Sequence, residues 1–330
     1  MLHLSRRISA SASVVLLAAF GGTTIGRAQP AARPVTVRVE LNDAQVKGRA
    51  LEGVVVSVSP AGGGGTLSSG RTGADGRWTT PLPPGTYHVS YRLEGYVPYT
   101  SEATEVREDA QLVTVSLSRL LEATESGGRD VRIILNWGSR RDQVRDADSH
   151  VVCPCGAADS HVYFKARVHE AAGHRVELDV DDTDWGGPET ITLTRPAPGT
   201  YLYWVHDYSG PPATLGASDV VVRVVIGAEE AGEFRVFKGI RKRAWRPFKA
   251  IEVGPDGRPA LVRFTEDEIA EAADLVVPAD LQSEGPDSSA PSPPIPAAPS
   301  ARSTSPNPAF ILLAIVVLVL IIRARRRRRG

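Results

Sequence analysis

The run 178–193, LDVDDTDWGGPETITL, sets Asp179, Asp181, Asp182, Asp184 and Glu189 in one short, turn-rich segment. Carboxylates this close repel one another unless water, turn donors or a hard cation offsets their charge, and Ca²⁺ takes about six to eight oxygen ligands of this kind. A second acidic group, Asp142, Asp146 and Asp148 followed by His150, lies upstream in RDQVRDADSH. Two loops would then converge on one ion, with ligands drawn from Asp146, Asp148, Asp179, Asp181, Asp184 and Glu189. Strand alternation would set Asp179 and Asp181 on one face and Asp182 on the other. Such an ion would lock loops rather than polarise a substrate. The competing reading has the same carboxylates capping turns through Asx-type bonds and facing water. An EF-hand is excluded, because the loop glycine, the terminal glutamate spacing and the flanking helices are all wrong.

A softer donor set overlaps the first. His150, Cys153, Cys155 and His161 follow the spacing H-x2-C-x-C-x5-H, and thiolates with imidazoles suit Zn²⁺ or copper. In an oxidising compartment the two cysteines of the chain would instead form one tight disulfide. Cys-Pro-Cys lacks the two-residue spacing of thioredoxin-like redox motifs. His169-Glu170-Ala-Ala-Gly-His174 is not the zinc-protease motif: HExxH relies on i and i+4 sharing a helical face, which i+5 does not, and the segment reads as a hairpin. One basic and aromatic stretch, centred on Arg241, Lys242, Arg243, Trp245 and Arg246, is a candidate surface for anionic polysaccharide, lipid headgroups or an acidic protein. Its plainer reading is a strand-loop-strand with solvated charges. Tyr203, Trp204 and Tyr208 would line a carbohydrate face or belong to a core.

The elements that must position these residues are strands. Period-2 alternation and Gly/Pro punctuation dominate the chain from residue 29 to 264, so the class is all-β. Strands are predicted at 35–41, 54–58, 78–80, 87–93 and 113–117 in a first domain, with an Asp-Gly turn at 73–76. After a polar break at 122–129, strands are predicted at 131–137, 160–168, 175–178, 190–193, 201–208, 220–226, 234–237, 249–253 and 260–264. Both sets contain Pro-Gly-Thr-Tyr, ending at Tyr87 and at Tyr201. Residues 265–280 would hold one short acidic helix, and 281–308 is a Ser/Pro/Ala-rich tether that cannot bury a core.

Two resemblances attach to these segments. Ala74-Asp-Gly-Arg-Trp78, the Leu82–Tyr87 device and Glu94-Gly-Tyr-Val-Pro98 resemble a carboxypeptidase regulatory-like domain of transthyretin type over about 34–119. That likeness implies a non-catalytic module that spaces, binds or presents other parts. Asn136-Trp-Gly138, Asp146-Ala-Asp-Ser-His150, LDVDDTDWGGPETI, Pro198–Tyr201 and Val205-His-Asp-Tyr-Ser-Gly210 resemble the bacterial YfaP-like β-sandwich family over about 129–264. The second likeness implies a fold and an extracytoplasmic setting but no reaction, and the sequence departs from it by inserting Cys153-Pro-Cys155.

Both ends of the chain point to the same compartment. Arg6 and Arg7 before an apolar run, with small residues at 26–28, read as a signal peptide over 1–28. At the other end 309–322 is continuously apolar and 323–330 is arginine-rich. That span would be about 21 Å of helix against a hydrocarbon layer of roughly 30 Å. It reads as a short transmembrane helix with a cytoplasmic arginine tail, or as a processed sorting signal. The formal charge of zero is an average: nine of the 38 basic residues lie in these two end segments, leaving 29 basic against 38 acidic residues elsewhere. A surplus of acid argues against nucleic-acid binding. The sequence therefore describes two tandem β-sandwiches in a bacterial cell envelope, anchored by a single C-terminal membrane span and exposed to periplasm or cell surface. The function it implies is non-enzymatic binding, adhesion or structural presentation towards an envelope polysaccharide or protein partner. The rivals are a metal-dependent enzyme or metal-handling or redox protein built on the Asp/His/Cys loops, and an accessory module of a secreted polysaccharide- or peptide-processing complex.

Overall fold

A computed structural model describes residues 33–107, 111–120, 129–138, 140–155, 160–265 and 268. The expected signal peptide, tether, membrane span and arginine tail, and most of the acidic helix, lie outside them. Glu268 is helical, and Thr265 and Glu268 exchange the reciprocal bonds of a capping box, as a helix start at this point requires. Among the described residues no helix is long and apolar enough to cross a membrane.

The described chain is all-β. Its first part folds as β1 (Val35–Asp43), β2 (Val55–Pro60), β3 (Ser68–Arg71), β4 (Arg77–Leu82), β5 (Gly85–Arg92), β6 (Tyr99–Thr100), β7 (Thr104–Val106) and β8 (Gln111–Leu117). One sheet has the order β4-β1-β8, with β1 and β8 parallel. The facing sheet is β3-β2-β5-β6, with β7 also on β5. Alternate residues of β1, β2 and β5, including Val39, Leu41, Val56, Val58, Val89 and Tyr91, fill the space between them.

The second part is larger: β9 (Val131–Asn136), β10 (Ala147–Cys153), β11 (Ser160–Val162), β12 (Val168–Ala171), β13 (His174–Val180), β14 (Glu189–Thr194), β15 (Gly199–Asp207), β16 (Val221–Ile226), β17 (Glu229–Arg235), β18 (Ala244–Trp245), β19 (Ala250–Val253) and β20 (Pro259–Val262). One sheet runs β11-β10-β15-β19-β20 with β18 also on β15, and the other β12-β13-β14-β9-β16-β17. Ile133, Leu135, Val151, Ile191, Tyr201, Tyr203, Val222 and Phe248 lie in the core between them. The Pro-Gly-Thr-Tyr device does the same work in both parts: Tyr87 Oη donates to Pro83 O at 2.8 Å, and Tyr201 Oη to Ala197 O at 3.0 Å. Each tyrosine thus ties the start of its strand to the preceding turn.

Most predicted strands fall within a few residues of observed ones, and His169–His174 spans the β12–β13 hairpin, with its turn at Ala172-Gly173. Two differences matter. The predicted strand at 160–168 is two short strands, β11 and β12. Residues 147–153, read as a metal-binding loop, form the interior strand β10, paired on both edges.

The sheet containing β9 is covered on both faces. Val131, Ile133 and Leu135 point into its own core, while Arg132, Ile134 and Asn136 face the first sandwich. Ile134 and Val225 pack with Ala44 and Val97. Arg132 Nη1 reaches Ser118 Oγ and Arg119 O, both at 2.8 Å. Arg223, fully buried, donates from Nε and Nη2 to Glu230 at 3.0 and 2.7 Å and from Nη1 to Ser116 O at 2.8 Å. Its guanidinium lies 3.6 Å from the centroid of the Tyr99 ring, and Tyr99 Oη donates to Glu233 at 2.7 Å. Buried cations need paired partners, so these contacts fix one relative placement of the sandwiches.

Candidate metal centre

Four of the six candidate ligands lie at one end of the second sandwich, near enough for their charges to act on one another. Asp146 and Asp148 lie at the entry of β10, Asp181 follows the end of β13, and Glu189 opens β14. Asp146 and Asp148 are each 3 % exposed and Glu189 is 0 % exposed, which is unusual for carboxylates. Glu189 Oε2 accepts from the Ser149 N–H at 2.5 Å. Its Oε1, Asp146 Oδ1 and Asp181 Oδ1 are buried without a hydrogen-bond partner.

These groups feel one another. Burial, followed by Asp148 and Asp181, pushes the Asp146 carboxyl up to about 7. Burial and the charges of Asp148, Asp181 and Asp146 raise Glu189 well above the ordinary glutamate range, offset in part by the Ser149 N–H. The cations nearby serve the rim: Arg167 lies 3.7 Å from Asp181 Oδ2, and Lys47 lies 3.4 Å from Asp182. Buried carboxylates facing each other are stable when a cation coordinates them or protons neutralise them.

Several contacts hold this end in shape. Asp146 N donates to Ser209 Oγ at 3.4 Å, and Tyr208 N to Asp146 O at 3.1 Å. Trp137 Nε1 ties down Arg145 O at 3.1 Å, and Asn136 Nδ2 holds Gly186 O at 3.2 Å. Lys47, from the first sandwich, donates to Asp181 O at 2.8 Å. Gly187 has φ +71°, and a Cβ there would meet the Trp137 ring at 2.8 Å and Leu135 O at 3.1 Å. The acidic turn therefore lies directly against the loop that presents Asp146.

Asp179 and Asp184 are not gathered with the others. A bulge between Leu178 and Val180 leaves Asp179 accepting from Thr192 Oγ1, with Arg132 and Arg175 as its nearest cations; burial raises it to about 6. Asp184 is exposed and donates its N–H to Asp182 Oδ1 in an Asx turn.

Strand alternation also takes apart the predicted His/Cys set. Cys153 and Cys155 are joined as a disulfide, Cα to Cα 5.2 Å, and are packed in the core. His150 projects from the opposite face of β10, where it stacks on His161 and Trp204 with ring centroids 5.1 Å away in each case. His161 stacks on Tyr163 at 4.2 Å, and His206 meets His150 edge-on at 5.8 Å. His150 Nδ1 lies 2.9 Å from His161 Nε2. Burial, then His161 and His206, holds His150 well below the ordinary histidine range and keeps it neutral. His206 did not stand out in the sequence; only the pairing of β10 with β15, which sets it opposite Asp148, reveals it.

The basic stretch is largely turned inward. Arg243 donates to Asp207 O at 3.0 and 2.6 Å and to Tyr208 O at 3.0 Å; Trp245 is buried; and Arg246 donates to Lys249 O at 2.7 Å. Arg241 and Lys242 are exposed. Tyr203 is in the core and Trp204 is buried in the stack. A cleft of about 390 Å³ between the sandwiches is lined by Arg107, Arg223, Arg235 and Lys238 among others. Those cations pair with Asp219, Glu230, Glu233 and Glu105, so the cleft makes little demand for an anion.

The family model of the carboxypeptidase regulatory-like domain matches residues 35–118, the first sandwich. The YfaP-like resemblance of the second sandwich rests on its sequence motifs alone. No curated protein matches the chain. Among solved structures, the Bacillus anthracis TIE protein is similar at 14 % identity, over 62 % of this chain and 32 % of its own, with a TM-score of 0.24. Fervidolysin from Fervidobacterium pennivorans, a keratinolytic enzyme related to subtilisin, is similar at 17 % identity, over 72 % and 34 %, with a TM-score of 0.24. BcpA, the major pilin subunit of Bacillus cereus, is similar at 12 % identity, over 71 % and 96 %, with a TM-score of 0.24. The chain spans about a third of the length of the first two. At these scores the likenesses say nothing of what this chain does.

Proposed function

We propose that this chain is a non-enzymatic binding or structural-presentation protein of a bacterial cell envelope, in which a YfaP-like sandwich is locked by one Ca²⁺ held by Asp146, Asp148, Asp181 and Glu189. A signal peptide at 1–28 and a membrane-bound or processed C-terminal segment place both sandwiches outside the cytoplasm. The reading rests on one observation: carboxylates from three chain segments act on one another's charge, with the buried atoms Asp146 Oδ1, Asp181 Oδ1 and Glu189 Oε1 left without a hydrogen-bond partner. An all-oxygen, strongly anionic donor set suits a hard cation of flexible coordination. Bound there, the ion would join the loop before β10 to the turn between β13 and β14. The docked first sandwich supports the same turn through Lys47. A rigid two-domain body suits presentation of a surface more than turnover of a substrate.

The test is thermal unfolding of residues 29–280, with EDTA and with millimolar Ca²⁺. Both sandwiches are kept, because removing the first would strand Arg132 and Arg223 without Ser118, Arg119 and Ser116. A ligand that binds the folded state alone raises the midpoint. A Ca²⁺-dependent rise that Asp181→Ala abolishes is expected; an unchanged midpoint in the parent protein would reduce the cluster to protonated, structural carboxyls.

A further inference from the structure

We propose a second, softer metal site on the outer face of the β10–β15 sheet, in which Asp148, His150 and His206 bind a borderline divalent ion of the Zn²⁺ class. The proposal shares Asp148 with the calcium reading but takes both nitrogen ligands from groups outside that cluster, so either can fail alone.

The pairing of β10 with β15 carries it. Asp148 lies directly opposite His206, and His150 follows two residues along the same face. One ligand atom from each of the three lies within 4.8 Å of the other two, and all three side chains are buried. His206 Nδ1 is 3.8 Å from Asp148 Oδ2. Zinc–nitrogen and zinc–oxygen bonds of roughly 2.0–2.2 Å would need this pair to close by about half an ångström. Such movement is within reach of small side-chain rotations.

His150 supplies the second, independent sign of a ligand. Its Nε2 is buried without a hydrogen-bond partner, while its Nδ1 is engaged with His161 Nε2. When Nδ1–H donates to His161, the Nε2 lone pair is left free. A ligating histidine usually has this arrangement, with the outer nitrogen bonded so that tautomer and ring angle are set. His161 is then a positioning residue, and the stack with Trp204 and Tyr163 fixes the plane of both imidazoles. Two imidazoles and one carboxylate suit Zn²⁺, and three protein ligands leave a further position open. The disulfide keeps both cysteine sulfurs out of the set.

Co²⁺, whose visible absorption reports nitrogen ligation and coordination number, is titrated into the intact, chelator-treated chain. One equivalent should develop visible bands that Zn²⁺ removes. His206→Gln and His150→Phe should lose the bands, and His161→Phe should weaken binding by about 10–100-fold. Each histidine variant must show the cooperative unfolding and Ca²⁺ response of the parent protein, which separates loss of a ligand from loss of the fold. Glu189→Gln should leave the cobalt bands in place. Absence of bands in the intact chain, or bands of full strength in His206→Gln, would overturn the site. Bands lost in Glu189→Gln but kept in the histidine variants would place the ion among the oxygen ligands and overturn it equally.

Discussion

Glu189→Gln separates the roles of charge and shape at the acidic end of the second sandwich. Glutamine keeps the volume, and its Oε1 can still accept from the Ser149 N–H, which now bonds Glu189 Oε2 at 2.5 Å. Its amide would offer a donor where Glu189 Oε1 has no partner, in the field of Asp148, Asp181 and Asp146. Without the ion, mutual repulsion gives way to a hydrogen bond to a charged group, worth about 1.5–3 kcal/mol. A two-sandwich body of this size shifts by about 2–4 °C per kcal/mol, so the variant in EDTA should melt roughly 3–12 °C above the parent protein. With Ca²⁺ at about a hundred times its dissociation constant, the parent gains about 2.7 kcal/mol, or roughly 5–11 °C, and the variant should gain almost nothing. Calorimetric unfolding at pH 8, with EDTA and then Ca²⁺, reads both effects. A variant that melts lower than the parent in EDTA, or that keeps the full Ca²⁺ shift, would refute the reasoning.

Other consequences follow from the same geometry. Asp146 is pushed up to about 7 from an ordinary 3.8, so the ion-free fold favours its protonated form. That contribution is complete below about 3.8 and lost as pH rises through about 7, so the stabilisation by Ca²⁺ should be larger at pH 8 than at pH 5.5; equal shifts at the two would contradict it. Arg223→Ala leaves Glu230 and the Ser116 carbonyl without their buried partner and should cost about 3–5 kcal/mol in urea unfolding, with Arg223→Lys restoring little of it. Gly187→Ala forces a side chain into positive φ and against the Trp137 ring; a loss of about 1–3 kcal/mol is expected, together with a weaker Ca²⁺ response.

The first sandwich was the most legible part of the chain. Its strands alternate cleanly, its turns carry Asp-Gly and Pro-Gly, and its motif fixes the family match over 35–118. The acidic cluster was legible as composition but not as geometry. Asp146, Asp148, Asp181 and Glu189 lie within range of one another's charge, whereas the bulge at Leu178–Val180 leaves Asp179 bonded to Thr192 with Arg132 nearby, which simple alternation could not foresee. β10 was missed because ADSHVVC carries polar residues on both faces. Ser149 faces the core, where Tyr203 Oη and Glu189 satisfy it, and Asp148 and His150 are buried on the other face. Such a strand lacks the polar-apolar contrast that marks a half-buried one. The docking of the two sandwiches was equally hidden. Arg132 and Arg223 carry no mark of burial in the sequence; the Ser116, Ser118 and Arg119 groups brought by the first sandwich, with Glu230 beside Arg223, account for it.

The most direct test is a calorimetric titration of Ca²⁺ into the chelator-treated two-sandwich protein at pH 8. The account predicts one ion per chain, with binding lost in Asp181→Ala and in Glu189→Gln and retained in His206→Gln. A flat titration, or binding that survives both carboxylate substitutions, would contradict it.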